Sequence, residues 1–177
     1  MAGSIGVKSP EDVVIVSALR TPITRARKGP FKDTFPEELL AAVLKATIQK
    51  SGINPALVDD IQVGNVLPAG GGATTARMAS LYAGCVDLND ALTSELNANH
   101  LRFPDTTSIS TVNRQCSSGL QAVHYIAACI ENGTIDIGIG AGVESMTHGY
   151  GPSAMPSGYS DKVLSHPAAA DCNLPMG

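Results

Sequence analysis

Val112-Asn113-Arg114-Gln115-Cys116-Ser117-Ser118-Gly119-Leu120 is the stretch on which the fold turns. Just before it, Ile109 to Asn113 is short and rich in β-branched residues, and reads as a strand. After it, Leu120, Val123, Ala127 and Ile130 recur on one face of a helix running from Ser117 to Asn132, and Asn132-Gly133 closes that helix. A strand passing through a short corner into a helix is the repeating unit of an α/β domain.

Cys116 sits at that corner. Thiolate is the reactive form of cysteine, and the unpaired N–H groups that open a helix favour it. The same groups can hold the oxyanion formed when a thiolate attacks a carbonyl. Serine hydrolases expose their nucleophile on a corner of this kind. Cys116 is therefore the candidate catalytic residue, a nucleophile for acyl transfer. Ser117, Ser118 and Gly119 are small enough to let a substrate reach the sulfur, which makes Ser117 and Gly119 candidate substrate-binding residues. The bland alternative is a free cysteine that only fills space in a core.

Outward from the corner the α/β rhythm continues. Val13-Val14-Ile15-Val16 is a continuous apolar run that reads as a buried strand. Phe35 to Lys50 reads as a helix, with Pro36 near its start, Glu37 and Glu38 in its first turn, and Ser51-Gly52 at its end. Asp60 to Leu67 reads as a strand, Gly70-Gly71-Gly72 as a turn, and Ala73 to Ala83 as a helix. Asp87 to Pro104 is polar and Asn-rich and breaks the rhythm. Ile135, Ile137, Ile139, Ala141 and Val143 alternate with Asp136 and glycines as a fourth strand. From Thr147 onward the chain is rich in Gly, Pro, Ser and Ala, and little regular structure is expected there. The glycines of Gly138-x-Gly140-x-Gly142 lie inside a strand, so they read as close packing and not as a dinucleotide fingerprint.

Composition bounds the function. With 177 residues, 44% apolar and 16% charged, the chain has enough apolar residues for one core. A net charge of −4 gives no reason to expect nucleic acid or an acidic membrane surface as partner. No apolar run approaches a membrane span, the first ten residues show no secretion pattern, and Pro175-Met176-Gly177 is not a peroxisomal address of the Ser-Lys-Leu type. Cys85, Cys116, Cys129 and Cys172 form no CxxC pair, so neither a metal site nor a redox motif is expected, and the thiols read as reduced. Arg20, Arg25, Arg27, Lys28 and Lys32 form a basic cluster that reads as a solvated face, with an anionic ligand as the alternative. His100, His124, His148 and His166 have no spacing that marks a base for Cys116. His124 lies eight residues further along the same helix, roughly 12 Å away at about 1.5 Å of rise per residue. Met146, Met155 and Met176 read either as core and loop residues or as the lining of a flexible pocket.

Several of these segments resemble one family. Asn113-Arg114-Gln115-Cys116-Ser117-Ser118-Gly119-Leu120-Gln121-Ala122-Val123 is similar to the nucleophile segment of the 3-ketoacyl-CoA thiolases, and Gly142-Val143-Glu144-Ser145-Met146-Thr147 to their second signature. Pro10 to Val16, Arg20-Thr21-Pro22 and Gly64-Asn65-Val66-Leu67 agree with the family's front end. Cys172-Asn173-Leu174-Pro175-Met176-Gly177 resembles the loop-domain motif of the peroxisomal type. The resemblance implies a thiolase-like N-terminal α/β half over residues 1–146, a mostly parallel mixed sheet with flanking helices, and the start of a loop domain over 147–177. It implies Cys116 as acyl carrier, Met176 in the acyl pocket, and the Cys116 N–H as oxyanion donor. It also implies acyl-CoA and CoA as substrates with no separate cofactor, a homodimer for the full-length enzyme, and a peroxisomal setting for fatty-acid β-oxidation.

The resemblance further implies that the sheet is incomplete here. The family's last strand of this half, and the second half that supplies a Gly-His-Pro histidine, a Cys-x-Gly cysteine and an Asn-Glu-Ala-Phe motif, fall beyond Gly177. Ser165-His166-Pro167 has the wrong neighbours and place to stand in for that histidine. The stretch from Asp87 to Pro104 is longer than the family's connection. Alternatives are an interaction or dimerisation piece without catalysis, a biosynthetic acetoacetyl-CoA thiolase, and a ketoacyl synthase of the same superfamily. The Asn-Arg-Gln-Cys-Ser-Ser-Gly run favours thiolase over the last.

Overall fold

The computed structural model describes residues 8–83, 102–151, 156 and 158–173. Helix α1 spans Pro36–Ser51, strand β1 Asp60–Gly64, helix α2 Ala73–Ala83, strand β2 Ser108–Val112, helix α3 Ser118–Glu131 and strand β3 Gly138–Gly142. Two short helices follow, α4 Asp161–Leu164 and α5 Pro167–Asp171.

Local chemistry sets the bounds of α1. Pro36 occupies its first turn, and the Glu38 carboxylate accepts the Phe35 N–H at 2.7 Å. At the other end Gly52, at φ 69°, donates its N–H to the Ile48 carbonyl at 3.0 Å. The turn before α2 carries positive φ at Gly70, Gly71 and Gly72.

The sheet has the order β2-β1-β3, and both pairings are parallel. Ile61 stands opposite Ile109 and Ile139, and Val63 opposite Thr111 and Ala141. Ile61 and Val63 are both 0% exposed; they face α1 and α2 and pack with Leu40, Leu44, Ile48 and Ala79 as the core. Burying one such side chain contributes about 1.5–3 kcal/mol. On the opposite face lies α3. A Cβ on Gly138 would stand 2.8 Å from Ile126, and one on Gly140 would stand 2.6 Å from the Cα of Val123. The alternating glycines thus let α3 lie directly on β3, as their position inside a strand implied. Asp59 Oδ2 accepts the N–H groups of Asp136 and Ile137 at 3.0 and 3.2 Å, which fixes where β3 begins against β1. The result is three layers, α1 and α2 over a parallel sheet over α3.

Two expectations are corrected. Val13–Val16 forms no strand: it has no ladder partner among the described residues, and Val14, Ile15 and Val16 are 71%, 75% and 67% exposed. The run lies across an open apolar groove of about 800 Å³ whose other walls are β3, α1 and α3. An apolar run becomes a strand only when a sheet edge comes within about 4.8 Å, and here the groove lies between them. The four expected strands are therefore three. The second correction concerns the tail, where α4 and α5 form and pack on each other. Pro167 at the start of α5 and Asp161 at the start of α4 are ordinary helix-opening residues. The rhythm-breaking stretch from Asp87 falls outside the described residues as far as 101.

Candidate active site

The corner between β2 and α3 is built by short-range hydrogen bonds. Asn113 Oδ1 accepts the Gln115 N–H at 3.0 Å, an Asx turn. Gln115 follows at φ 50°, a left-handed backbone that residues with a Cβ disfavour. Ser118 then staples the corner. Its Oγ accepts the Arg114 N–H at 2.9 Å and donates to the Gln115 carbonyl at 2.5 Å, and the residue is only 3% exposed. The Ser117 and Ser118 N–H groups are taken by the Arg114 and Gln115 carbonyls at 3.1 and 3.0 Å. Arg114 also reaches Gln121 on α3.

Cys116 is exposed at the apex of this turn. The turn's own bonds use the amides on either side, while no hydrogen bond occupies the Cys116 N–H among the described residues. That leaves a donor next to the sulfur, the arrangement an oxyanion needs. Ser117 is the residue preceding α3; it is exposed and its side chain makes no capping bond. Gly119 lies in the first turn of α3, and a Cβ there would meet no atom within 4 Å. Cys116 and Ser117 are thus exposed, and Gly119, half-buried, lines the apolar groove beside them in sequence. Met176 falls outside the described residues, as do Met155, Cys85 and His100; Met146 is exposed.

No histidine is bonded to Cys116 among the described residues. His124 is exposed on α3, His148 stacks on Phe35 with ring centroids 4.5 Å apart, and His166 precedes α5. The basic cluster is a solvated face: Arg20, Arg25, Arg27, Lys28 and Lys32 are all exposed, and Lys32 pairs with Asp33.

The structure adds residues that the motif alone did not single out. Gly64 ends β1 directly beneath the start of α3; a Cβ there would lie 2.3 Å from the Ser118 carbonyl carbon and 2.5 Å from the Gly119 nitrogen. Ser118, read from sequence only as small, is a buried double hydrogen-bonder. Asn113 to Gln115 has the i to i+2 spacing of an Asx turn, so that contact was readable in principle. Glu144 was not: its carboxylate reaches back 78 residues to the Val66 N–H at 2.8 Å.

Residues 13–94 and 89–177 each match the thiolase N-terminal domain, the two matches meeting inside the rhythm-breaking stretch. The chain is 49% identical over 168 residues to the peroxisomal 3-ketoacyl-CoA thiolase 1 of Arabidopsis thaliana, covering 94% of this chain and 33% of that protein. The dimeric peroxisomal thiolase of Saccharomyces cerevisiae superposes with a TM-score of 0.78 at 38% identity, covering 96% of this chain and 40% of that one. The Acat5 thiolase of Ascaris suum, solved with coenzyme A, gives a TM-score of 0.65 at 29% identity over 84% of this chain and 33% of that one. The chain spans about a third of the length of the curated relatives it matches. A cysteine presented at a strand-to-helix corner in a parallel α/β sheet, and a match along nearly the whole chain, lead to one assignment: the chain belongs to the thiolase family, within its N-terminal domain.

Proposed function

We propose that Cys116 carries the acyl group in the cleavage of a 3-ketoacyl-CoA by CoA. The Cys116 thiolate adds to the C3 carbonyl, whose oxygen becomes an oxyanion held by the Cys116 N–H. The C2–C3 bond then breaks, its electron pair stays on C2, and protonation of C2 releases acetyl-CoA. The shortened acyl group remains on sulfur as a thioester. A CoA thiolate attacks that thioester, forms the shortened acyl-CoA and returns the Cys116 thiolate. The single observation that carries this reading is the exposed Cys116 just before α3, whose N–H has no hydrogen-bond partner among the described residues.

The two proton transfers need a base and an acid. No such group is hydrogen-bonded to Cys116 among the described residues, and this reading assigns these steps to groups outside them. Without them, turnover falls by about 10²–10⁴, and acylation of Cys116 by a thioester is the half-reaction that remains. Met176 is part of this reading as a wall of the acyl pocket, with Ser117 and Gly119 giving access to the sulfur. Coenzyme A enters as substrate in this reading, and the Ascaris suum thiolase solved in complex with coenzyme A supports a site for it. The dimeric yeast relative supports a homodimer for the full-length enzyme, and the peroxisomal relatives support that compartment and a place in fatty-acid β-oxidation. Among the described residues no helix is long and apolar enough to cross a membrane.

The test is intact mass after incubation with acetyl-CoA, comparing the native chain with Cys116→Ser. One acetyl group on the native chain and none on the variant is the expected result. Acetylation of both, or of neither, overturns the assignment.

A further inference from the structure

The three parallel strands end side by side at Gly64, Val112 and Gly142. Beyond Gly64 the chain continues through Asn65, Val66 and Leu67, and two side chains from the neighbouring strands' extensions hold the Val66 peptide groups. From the β3 side, Glu144 accepts the Val66 N–H at 2.8 Å and the Leu67 N–H at 3.4 Å. From the β2 side, Asn113 Nδ2 donates to the Val66 carbonyl at 3.2 Å. The other end of the same Asn113 amide accepts the Gln115 N–H at 3.0 Å. Gln115 is one of two described non-glycine residues with positive φ, at 50°, and Cys116 comes next in the chain. Left to itself, a residue with a Cβ leaves that region. A backbone relaxing at Gln115 swings Cys116 away from the first amides of α3.

We propose that Asn113 is a positioning residue for Cys116: braced against the Val66 peptide that Glu144 anchors, it holds Gln115 in the left-handed turn that sets the nucleophile at the start of α3. The proposal rests on the reading of Cys116 as the nucleophile. It concerns where that residue is held, so its test uses no acyl-CoA and fails separately from the acetylation test.

The measurement is alkylation of the 177-residue chain by iodoacetamide at neutral pH, with each cysteine followed by peptide mass. Cys172, exposed in α5's C-terminal turn, serves as internal standard, and half-buried Cys129 reports general loosening of the fold. Asn113→Ala slows Cys116 by about three- to tenfold, the factor that one hydrogen bond's net contribution carries, and leaves Cys172 and Cys129 unchanged. Adding Gln115→Gly to Asn113→Ala brings Cys116 back to within about twofold of the native rate, because glycine takes positive φ without a Cβ penalty. Asn113→Asp, which keeps an oxygen for the Gln115 N–H, stays closer to native than Asn113→Ala. An unchanged Cys116 rate in Asn113→Ala, an equal loss at Cys172, a rise at Cys129, or no recovery with glycine at 115 overturns the proposal.

Discussion

Replacing Gly64 by alanine tests whether β1 seats the nucleophile corner. The added Cβ would stand 2.3 and 2.4 Å from the Ser118 carbonyl carbon and oxygen and 2.5 Å from the Gly119 nitrogen, whereas ordinary contact begins at 3.4 Å. All three atoms are backbone, so no side chain can swing aside. β1 cannot retreat either: it is the central strand, laddered on both sides, and its Ile61 and Val63 are locked in the core. The first turn of α3 must therefore lift by roughly 1 Å, at an overpacking cost of about 1–3 kcal/mol. That lift strains the Ser118 bonds to Arg114 and Gln115 and moves Cys116 with them. A misplacement of about 1 Å costs on the order of 10²-fold in rate. Urea unfolding reads the stability loss, and intact mass over time with acetyl-CoA reads Cys116 acetylation. Gly158→Ala, where a Cβ meets nothing within 4 Å and φ is not positive, serves as the silent control. A Gly64→Ala chain within about 0.5 kcal/mol and threefold of native would show that the corner does not depend on this contact.

Gly119→Ala should separate stability from access: the Cβ enters open space in a helix, adding about 0.4–1 kcal/mol of stability, while acetylation of Cys116 slows; faster or unchanged acetylation would remove Gly119 from the substrate surface. Burial pushes the Asp60 carboxyl above its ordinary 3.8, against the pull of a bond from the Ile61 N–H, and its Oδ1 is buried without a partner among the described residues. The fold thus favours the protonated form, a contribution present below 3.8 and lost as pH rises through the raised folded value. Asp60→Asn should accordingly raise the urea midpoint at neutral pH and lose that advantage in acid; an equal effect at both would refute the account. Val14, Ile15 and Val16 beside the apolar groove, together with Leu120 on α3, leave large apolar surface in water. The 177-residue chain should therefore self-associate as its concentration rises and bind a hydrophobic dye, less so as the Ile15→Lys, Leu120→Lys double variant, and a native chain that stays monomeric at all concentrations and binds no dye would contradict this.

Most helices and strands were legible because their signals are local. Pro36 with Glu38 opens α1 and Gly52 closes it, the spacing of Val123 and Ala127 marks α3, and Gly138 and Gly140, lying inside a strand pattern, read as close-packing residues. Cys116 was legible for the same reason: a strand pattern, one cysteine, three small residues and a helical stripe fall within about two dozen positions. Val13–Val16 shows where this stops. Its hydrophobicity says only that the run favours burial, and pairing depends on whether an edge comes within hydrogen-bond reach. The bracket around the corner was invisible for the same cause. Glu144 meets Val66 across 78 residues and Asn113 meets it across 47, and Gly64 lies under Ser118 only because β1 sits beside β2. The sequence by itself thus determined the family and the order of most of its elements, and singled out Cys116 as the candidate nucleophile, since each is written in neighbouring residues. Only the tertiary structure decided which distant backbone groups bond to the corner that carries Cys116, because such contacts exist only once the three strand ends have come together.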